Sequence, residues 1–273
     1  MKRFVLFGLL ILFISSAGFA QSFGDIYEKS IEDNTAIPYP FLREADVIWS
    51  QRLWRLIDMR EKMNLPLYYP TNATADGRMS LTSIILAELK AGNLNAYDVD
   101  KMTVNVTFSD IETLLGAGTI NTQVPTMSGV MKDTVLTEES RPDQIFQLLA
   151  LEEWYFDKKH SRMDVRIIGI CPIRVYFNEE MQRMSRQQLF WIRYDDFRDS
   201  FAKHEAYNRA NDAQRMSYDD LFMQRRFSSI IYAESNVYDD RQINIYKTGK
   251  AALFEAEKIK TELLEFEHDL WEY

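Results

Sequence analysis

Two apolar stretches decide the fold: residues 165–177 read VRIIGICPIRVYF, and residues 188–194 read QLFWIRY. Both are rich in β-branched and aromatic residues, which predicts strands at 165–170, 174–177 and 188–194. Because the connection between them is short, we expect antiparallel pairing in a hairpin or meander. Cys171, the only cysteine, lies inside the first stretch. We interpret it as a small buried hydrophobic residue, since a catalytic thiol needs a partner that lowers its pKa.

Helical periodicity appears on both sides of these strands. Residues 44–63 carry apolar side chains at spacings of four, four, three and seven, which predicts a helix that buries Trp49 in the core. Trp54 would then point away, either under a second layer or as a contact residue. Further helices are predicted at 80–90, 110–115 (capped by Ser109), 197–207, 218–234 and 250–271. The last has an a/d pattern that suits docking on the core or on another subunit.

The other segments complete an α+β fold, with several helices packed on a small, mostly antiparallel sheet and a long C-terminal helix. Residues 102–108 and 242–246 are predicted strands, and residues 145–157 are predicted to be helical and then extended. Residues 116–144 are rich in Gly, Pro, Ser and Thr. They predict a long flexible loop, a mobile insertion or a subdomain boundary.

The N-terminus predicts export. Lys2 and Arg3 precede an apolar run and small residues up to Ala20, so residues 1–20 are interpreted as a signal peptide. The run is too short for a membrane-spanning helix. Loss of Lys2 and Arg3 with the signal changes the net charge from −9 to −11, which disfavours nonspecific nucleic-acid binding. Residues 21–43 are predicted to form an extended arm, and residues 44–273 a single domain.

Residues 204–208, HEAYN, begin like the zinc-protease pattern H-E-x-x-H, but Asn208 replaces the second histidine. Asparagine is a poor zinc ligand, so we expect no catalytic zinc. The adjacent carboxylates at 195–196, 219–220 and 239–240 point to different sides of their elements and do not converge by themselves. We find no phosphate-binding glycine loop, dinucleotide fingerprint or nucleophile elbow. We therefore expect no catalytic residue, no metal and no cofactor.

Longer sequence words carry a specific resemblance. In the C-terminal half these are NRANDAQR (208–215), SYDDLF (217–222), RFSSIIY (226–232), ESNVYD (234–239), EAEKIK (255–260) and FEHDLW (266–271). In the N-terminal half they are DVIW (46–49), WR (54–55), REK (60–62) and LPL (65–67). These words resemble the GldN/PorN family over nearly the whole exported chain, and the resemblance is weakest at 116–144.

The resemblance implies a periplasmic component of the gliding-motility and type IX secretion machinery, without catalytic activity. It implies a ring with the outer-membrane lipoprotein GldK/PorK, beneath the outer membrane, and a connection to the trans-envelope GldL/GldM motor complex. The residues that we expect to serve interaction or architecture are Trp49, Trp54, Arg60, Asn211, Asp212, Arg215, Asp219, Asp220, Arg226, His268 and Trp271. The charge density of 215–226 suggests ion pairs within or between subunits.

Two alternatives predict different surfaces. A periplasmic enzyme that acts on cell wall or secreted proteins would place perturbed carboxylates in a deep pocket. A soluble periplasmic chaperone would present a groove for extended clients. A shallow apolar and aromatic surface would favour the scaffold.

Overall fold

A computed structural model describes residues 31–270, apart from 75–76, 101, 126–130, 179–180, 209–210 and 212–213, and only the backbone at 119–125 and 131–138. The predicted signal peptide, Asp212 and Trp271 lie outside the described residues. The strands are β1 (Val47–Asp58), β2 (Ala96–Tyr97), β3 (Asn105–Val106), β4 (Gly118–Pro125), β5 (Met131–Glu138), β6 (Ile145–Asp157), β7 (Arg162–Asn178), β8 (Arg183–Gln188), β9 (Trp191–Arg193), β10 (Glu205–Ala206), β11 (Met216–Ser217) and β12 (Ile230–Glu234). The helices are α1 (Leu65–Tyr68), α2 (Leu81–Ala91), α3 (Phe108–Leu114), α4 (Tyr194–Lys203), α5 (Tyr218–Met223), α6 (Ile243–Tyr246) and α7 (Lys250–Asp269).

An eight-stranded sheet organises the chain in the order β12-β1-β6-β7-β9-β2-β3, with β8 also paired to β7. Neighbouring strands in this sheet run antiparallel. The α+β class is therefore confirmed, as is the antiparallel meander expected around residues 165–194. Gly169 of β7 lets β9 approach closely, because a Cβ there would lie 3.0 Å from the carbonyl oxygen of Ile192.

The helix predicted at 44–63 is wrong. Residues 47–58 form β1, which pairs with β6 through most of its length. Trp49 and Leu53 lie on one face of the strand, whereas Trp54 and Leu56 lie on the other. Because β1 is packed on both faces, apolar positions from both sides combined into an apparent helical stripe.

Three other predicted elements need correction. Residues 145–157, whose first part was predicted to be helical, form a strand throughout. They are buried almost continuously, and such an apolar run has no alternation that would distinguish a strand from a helix. The helix expected over 218–234 stops at Met223, and the β-branched residues from Ile230 form β12. Residues 243–246 form the short helix α6 instead of a strand.

Several other predictions can be compared directly with the structure. The helix expected at 80–90 is confirmed as α2, and Ser80 caps it through the backbone N–H of Ser83. The short helix near 110–115 begins earlier, because Thr107 and Asp110 form a capping box instead of a Ser109 cap. The strand expected at 102–108 is reduced to β3. Strands β4 and β5 pair antiparallel within residues 116–144, where a long flexible loop, a mobile insertion or a subdomain boundary was expected.

The sheet separates two cores. The helical face carries Leu53, Arg55 and Ile57 of β1, and helices cover it. The opposite face carries Trp54, Leu149 and Cys171. This second core also includes Val175 of β7 and Tyr232 of β12, so the sheet curls around it.

Helix α7 docks on the helical face near the β12 edge. Its buried residues are Ala252, Ala256, Ile259 and Leu263, which follow the heptad positions read from the sequence. They pack against Leu53 and Ile231, and Trp49 contacts Phe266 with ring centroids 4.7 Å apart. Of the two placements left open by the sequence, the heptad stripe packs on its own domain.

Leu263→Ala is expected to lower the free energy of unfolding by about 2–5 kcal/mol, because Leu263 is 8 % exposed and its loss leaves a cavity. Leu264→Ala, at a 54 % exposed neighbour, should change it by less than about 0.5 kcal/mol. Chemical denaturation of the purified chain measures both. Equal effects would contradict the docking of α7 through this stripe.

The second half of the N-terminal arm lies against its own domain. Arg198 donates to the carbonyl oxygen of Ile37 at 2.6 Å, and Arg166 donates to that of Pro40 at 2.7 Å. The ring of Tyr39 lies under both guanidinium groups, with distances of 4.1 and 4.7 Å to its centroid. Residues 37–40 therefore have specific anchors within the chain.

Candidate binding site

A buried ion-pair network lies on the helical face where α7 meets the sheet. Glu152 of β6 is fully buried and accepts hydrogen bonds from three donors. These are Nε of Arg55 at 2.8 Å, an Nη of Arg225 at 2.9 Å and Nε1 of Trp154 at 2.9 Å. Both guanidinium groups also lie over the Trp154 ring, at 5.5 and 5.2 Å from its centroid.

Strand register and a helix terminus bring these groups together. Arg55 pairs with Ala150, so Glu152 is its diagonal neighbour on the same face of the sheet. Arg225 follows α5 in the left-handed region, with φ of 53°. The N–H of Arg225 bonds to Phe222 and that of Arg226 to Leu221, which closes the helix in a Schellman motif. Glycine usually occupies this position, since other residues have a steric cost there.

A cleft of about 540 Å³ opens above the network. Arg55, Trp154 and Arg225 form its floor, and residues 227–229 form one wall. The other wall is a stripe of α7 with residues at helical spacing, namely Glu257, Lys260, Thr261, Leu263, Leu264 and Glu267. The cleft therefore combines a cationic and aromatic floor with a mixed polar and apolar rim.

A second buried ion pair anchors the arm. Asp219 is 3 % exposed and accepts two hydrogen bonds from Arg198 at 3.0 Å each and one from Tyr194 at 2.9 Å. Burial opposes the charge of Arg198, but Asp219 outweighs burial and raises its pKa. Burial also raises the pKa of Tyr39 to about 12. The phenol therefore stays protonated against the cation at neutral pH.

The zinc-protease-like stretch is structural. Nδ1 of His204 lies 2.7 Å from the carbonyl oxygen of Ser200, one turn earlier in the chain. Glu205 pairs with Arg215 at 3.1 Å across the β10–β11 hairpin. Within the described part of the chain, no three His, Cys, Asp or Glu side chains converge to hold a metal ion.

The charged segment at 215–226 forms ion pairs within the chain, with partners in other elements. Arg215 pairs with Glu205, Arg225 with Glu152, and Asp219 with Arg198. Asp220 forms a capping box with Ser217 at the start of α5. The two adjacent aspartates thus have separate structural roles.

The remaining predicted interaction residues are dispersed. Trp49 packs against α7, and Trp54 is half-buried on the opposite face of the sheet, among side chains from neighbouring strands. Asn211, Arg226 and His268 are exposed. Sequence reasoning missed Glu152, Arg55 and Arg198. Glu152 and Arg55 stand in largely apolar runs, which was their only signal, whereas Arg198 lies among aspartates and gave none. The thiol of Cys171 is buried, and burial raises its pKa to about 12, which makes it a poor nucleophile.

Arg60, another predicted site residue, is paired with Asp58. Hydrogen bonds from Arg60 and Gln147 hold the pKa of Asp58 at about 2, below its ordinary value of 3.8. Because the folded-state pKa is lowered, this carboxylate stabilises the fold above about pH 4. That contribution is lost as the pH falls towards 2.

Asp58→Asn should therefore reduce the loss of stability between pH 4 and 2. We expect a difference of about 1 kcal/mol from the wild-type chain, since solvent screens this partly exposed pair. Denaturant unfolding at pH 4, 3 and 2 measures it, with exposed Asp269→Asn as the control. Parallel pH profiles for wild type and Asp58→Asn would contradict this assignment.

Comparison with known families identifies the chain. The family model described as "Gliding motility associated protein GldN" matches residues 42–272. The chain belongs to the GldN family. The match begins near the end of the arm and includes the hairpin at 118–138, where the sequence resemblance was weakest. The resemblance to the GldN/PorN family of gliding motility and type IX secretion is thereby confirmed.

Two further observations accompany the GldN match. A comparison with curated proteins gave no match. Among the described residues, no helix is both long enough and apolar enough to cross a membrane.

Proposed function

We propose that this chain is a non-enzymatic structural component of the periplasmic ring of the type IX secretion and gliding-motility apparatus. The observation that carries the proposal is membership of the GldN family across residues 42–272. In this role the chain binds an outer-membrane lipoprotein of the GldK/PorK type and connects to a GldL/GldM-type motor complex. It lies in the periplasm at the inner face of the outer membrane, held there by the lipoprotein.

The chemistry of the acidic residues supports a structural role. Glu152, Asp219 and Asp58 are each held by an arginine. Because an arginine occupies the oxygens of each of these carboxylates, they are poorly placed to exchange a proton with a substrate. The large exposed apolar side chains, which include Phe41, Val237 and Phe254, supply contact surface for other proteins.

A test in cells addresses the function without reference to any interface. Deletion of the gene is expected to abolish type IX secretion and gliding, and the wild-type gene should restore both. A tagged chain should also co-purify with the lipoprotein of the same system in near-equal amounts. Normal secretion in the deletion strain, or isolation of the tagged chain without the lipoprotein, would count against the proposal.

A further inference from the structure

We propose that the cleft above Arg55 and Arg225 binds a glutamate or aspartate side chain within an extended segment of a partner protein. This inference rests on the proposed function only in taking the occupant to be a protein. The class of ligand follows from the charges, donors and dimensions of the cleft.

The floor has one more cationic than anionic group. Two guanidinium groups share the single carboxylate of Glu152. Arg55 is 7 % exposed and uses only Nε towards Glu152, and Arg225 uses only one Nη. Within the described residues, the other guanidinium N–H groups of these two arginines have no hydrogen-bond acceptor. A second carboxylate would satisfy both the charge and the donors, since arginine binds carboxylates through paired N–H groups.

The energetics of Arg55 point the same way. Burial lowers the pKa of Arg55, and the charge of Arg225 adds to this effect, although Glu152 opposes both. The cation is therefore undercompensated by the chain itself. Arg225 also has a left-handed backbone conformation, which costs more for arginine than for glycine. Strained positions of this kind are frequent at binding sites, where the side chain has a function.

The shape of the cleft selects an internal side chain over a chain terminus. Its wall runs along α7 from Glu257 to Glu267. Ten residues of helix span about 15 Å, which is the length of four or five extended residues. Leu264 and Phe227 provide apolar contacts on the two walls, so the acidic residue should have apolar neighbours.

The acidic groups of the rim set a limit on affinity. Glu257 is neutralised by Lys260 at 3.1 Å, whereas Glu267 has no salt-bridge partner among the described residues. Its charge repels an incoming carboxylate, and it is the one rim group expected to weaken binding. Removal of that charge should therefore tighten binding.

The test uses two capped peptides, acetyl-Ala-Leu-Glu-Leu-Ala-amide and its glutamine counterpart, with the indole N–H signal of Trp154 as the readout. Trp154→Phe assigns that signal. The glutamate peptide should shift it saturably, and the glutamine peptide should bind at least tenfold more weakly. Glu267→Gln should tighten binding of the glutamate peptide a few-fold. Equal affinity for the two peptides, or no saturation by about 10 mM, would overturn the proposal.

Variants and a third peptide complete the design. Arg225→Gln should weaken binding at least tenfold, whereas Arg52→Gln should leave it unchanged, because Arg52 is exposed and lies on the opposite face of the sheet from the cleft. If Arg225→Gln does not fold, Leu264→Glu at an exposed position should weaken binding by adding a competing carboxylate. A third peptide, acetyl-Ala-Leu-Leu with a free carboxyl terminus, tests whether the cleft prefers the carboxylate of a chain terminus. Tighter binding of that peptide than of the glutamate peptide would overturn the assignment to a side chain.

None of these titrations involves the ring, so their failure is distinguishable from failure of the proposed function.

Discussion

Glu152→Gln is expected to lower the free energy of unfolding by about 3–5 kcal/mol, one of the two largest effects we expect from a single isosteric change. The substitution keeps the shape of the side chain but leaves Arg55 and Arg225 without their shared anion. Arg55 is nearly fully buried, so water from the cleft replaces the lost partner only in part. Urea unfolding of the purified chain measures the difference.

The matched control is the next residue along β6. Glu153 lies on the other side of the strand, where its distance of 3.9 Å from Arg52 and the exposure of both side chains make a weak surface pair. Glu153→Gln should change the free energy of unfolding by less than about 1 kcal/mol. A Glu152 effect no larger than the Glu153 effect would show that the buried network does not stabilise the fold as described.

Asp219→Asn should cost a similar amount, about 3–5 kcal/mol, for the same physical reason. Asp219 accepts from both Arg198 and Tyr194, and neither donor is exposed to water. Arg198 in turn holds the carbonyl oxygen of Ile37. We therefore expect the variant to lose stability and also to release residues 34–43 for proteolysis.

The control is Asp196→Asn on α4, the helix that also carries Arg198. The carboxylate of Asp196 forms an exposed pair with Arg193 at 3.9 Å. The substitution should leave both stability and protease resistance nearly unchanged. If Asp219→Asn lowers stability without faster cleavage of the arm, the ion pair does not anchor the arm. Unchanged stability would contradict the buried pair itself.

The sequence predicted those elements whose residue types or apolar spacing are typical of one kind of secondary structure. The β7–β9 region was evident from β-branched and aromatic runs, and α2 and α7 were evident from periodicity. The errors at β1 and β6 have a common cause. Both strands carry apolar residues on both faces. In β1 these positions combine into an apparent helical stripe, and in β6 they form a nearly continuous run, which does not distinguish a strand from a helix.

The candidate site was less accessible to sequence reasoning. Glu152 and Arg55 are 97 residues apart, and Arg225 lies another 73 residues beyond Glu152. Their pairing depends on strand register and on where α5 ends, neither of which a local window contains. The charged segment at 215–226 did suggest ion pairs, but the partners of Asp219, Arg215 and Arg225 lie in other elements and could not be named from the sequence.

The central claim is that this GldN family member is a ring scaffold that assembles with an outer-membrane lipoprotein. The most direct test is the absolute mass, by light scattering, of the mature chain alone and mixed with the GldK/PorK-type lipoprotein of its own system. The account predicts a large closed assembly that appears in the mixture and in neither component alone. Two unmixed species, each keeping the mass it has by itself, would contradict it.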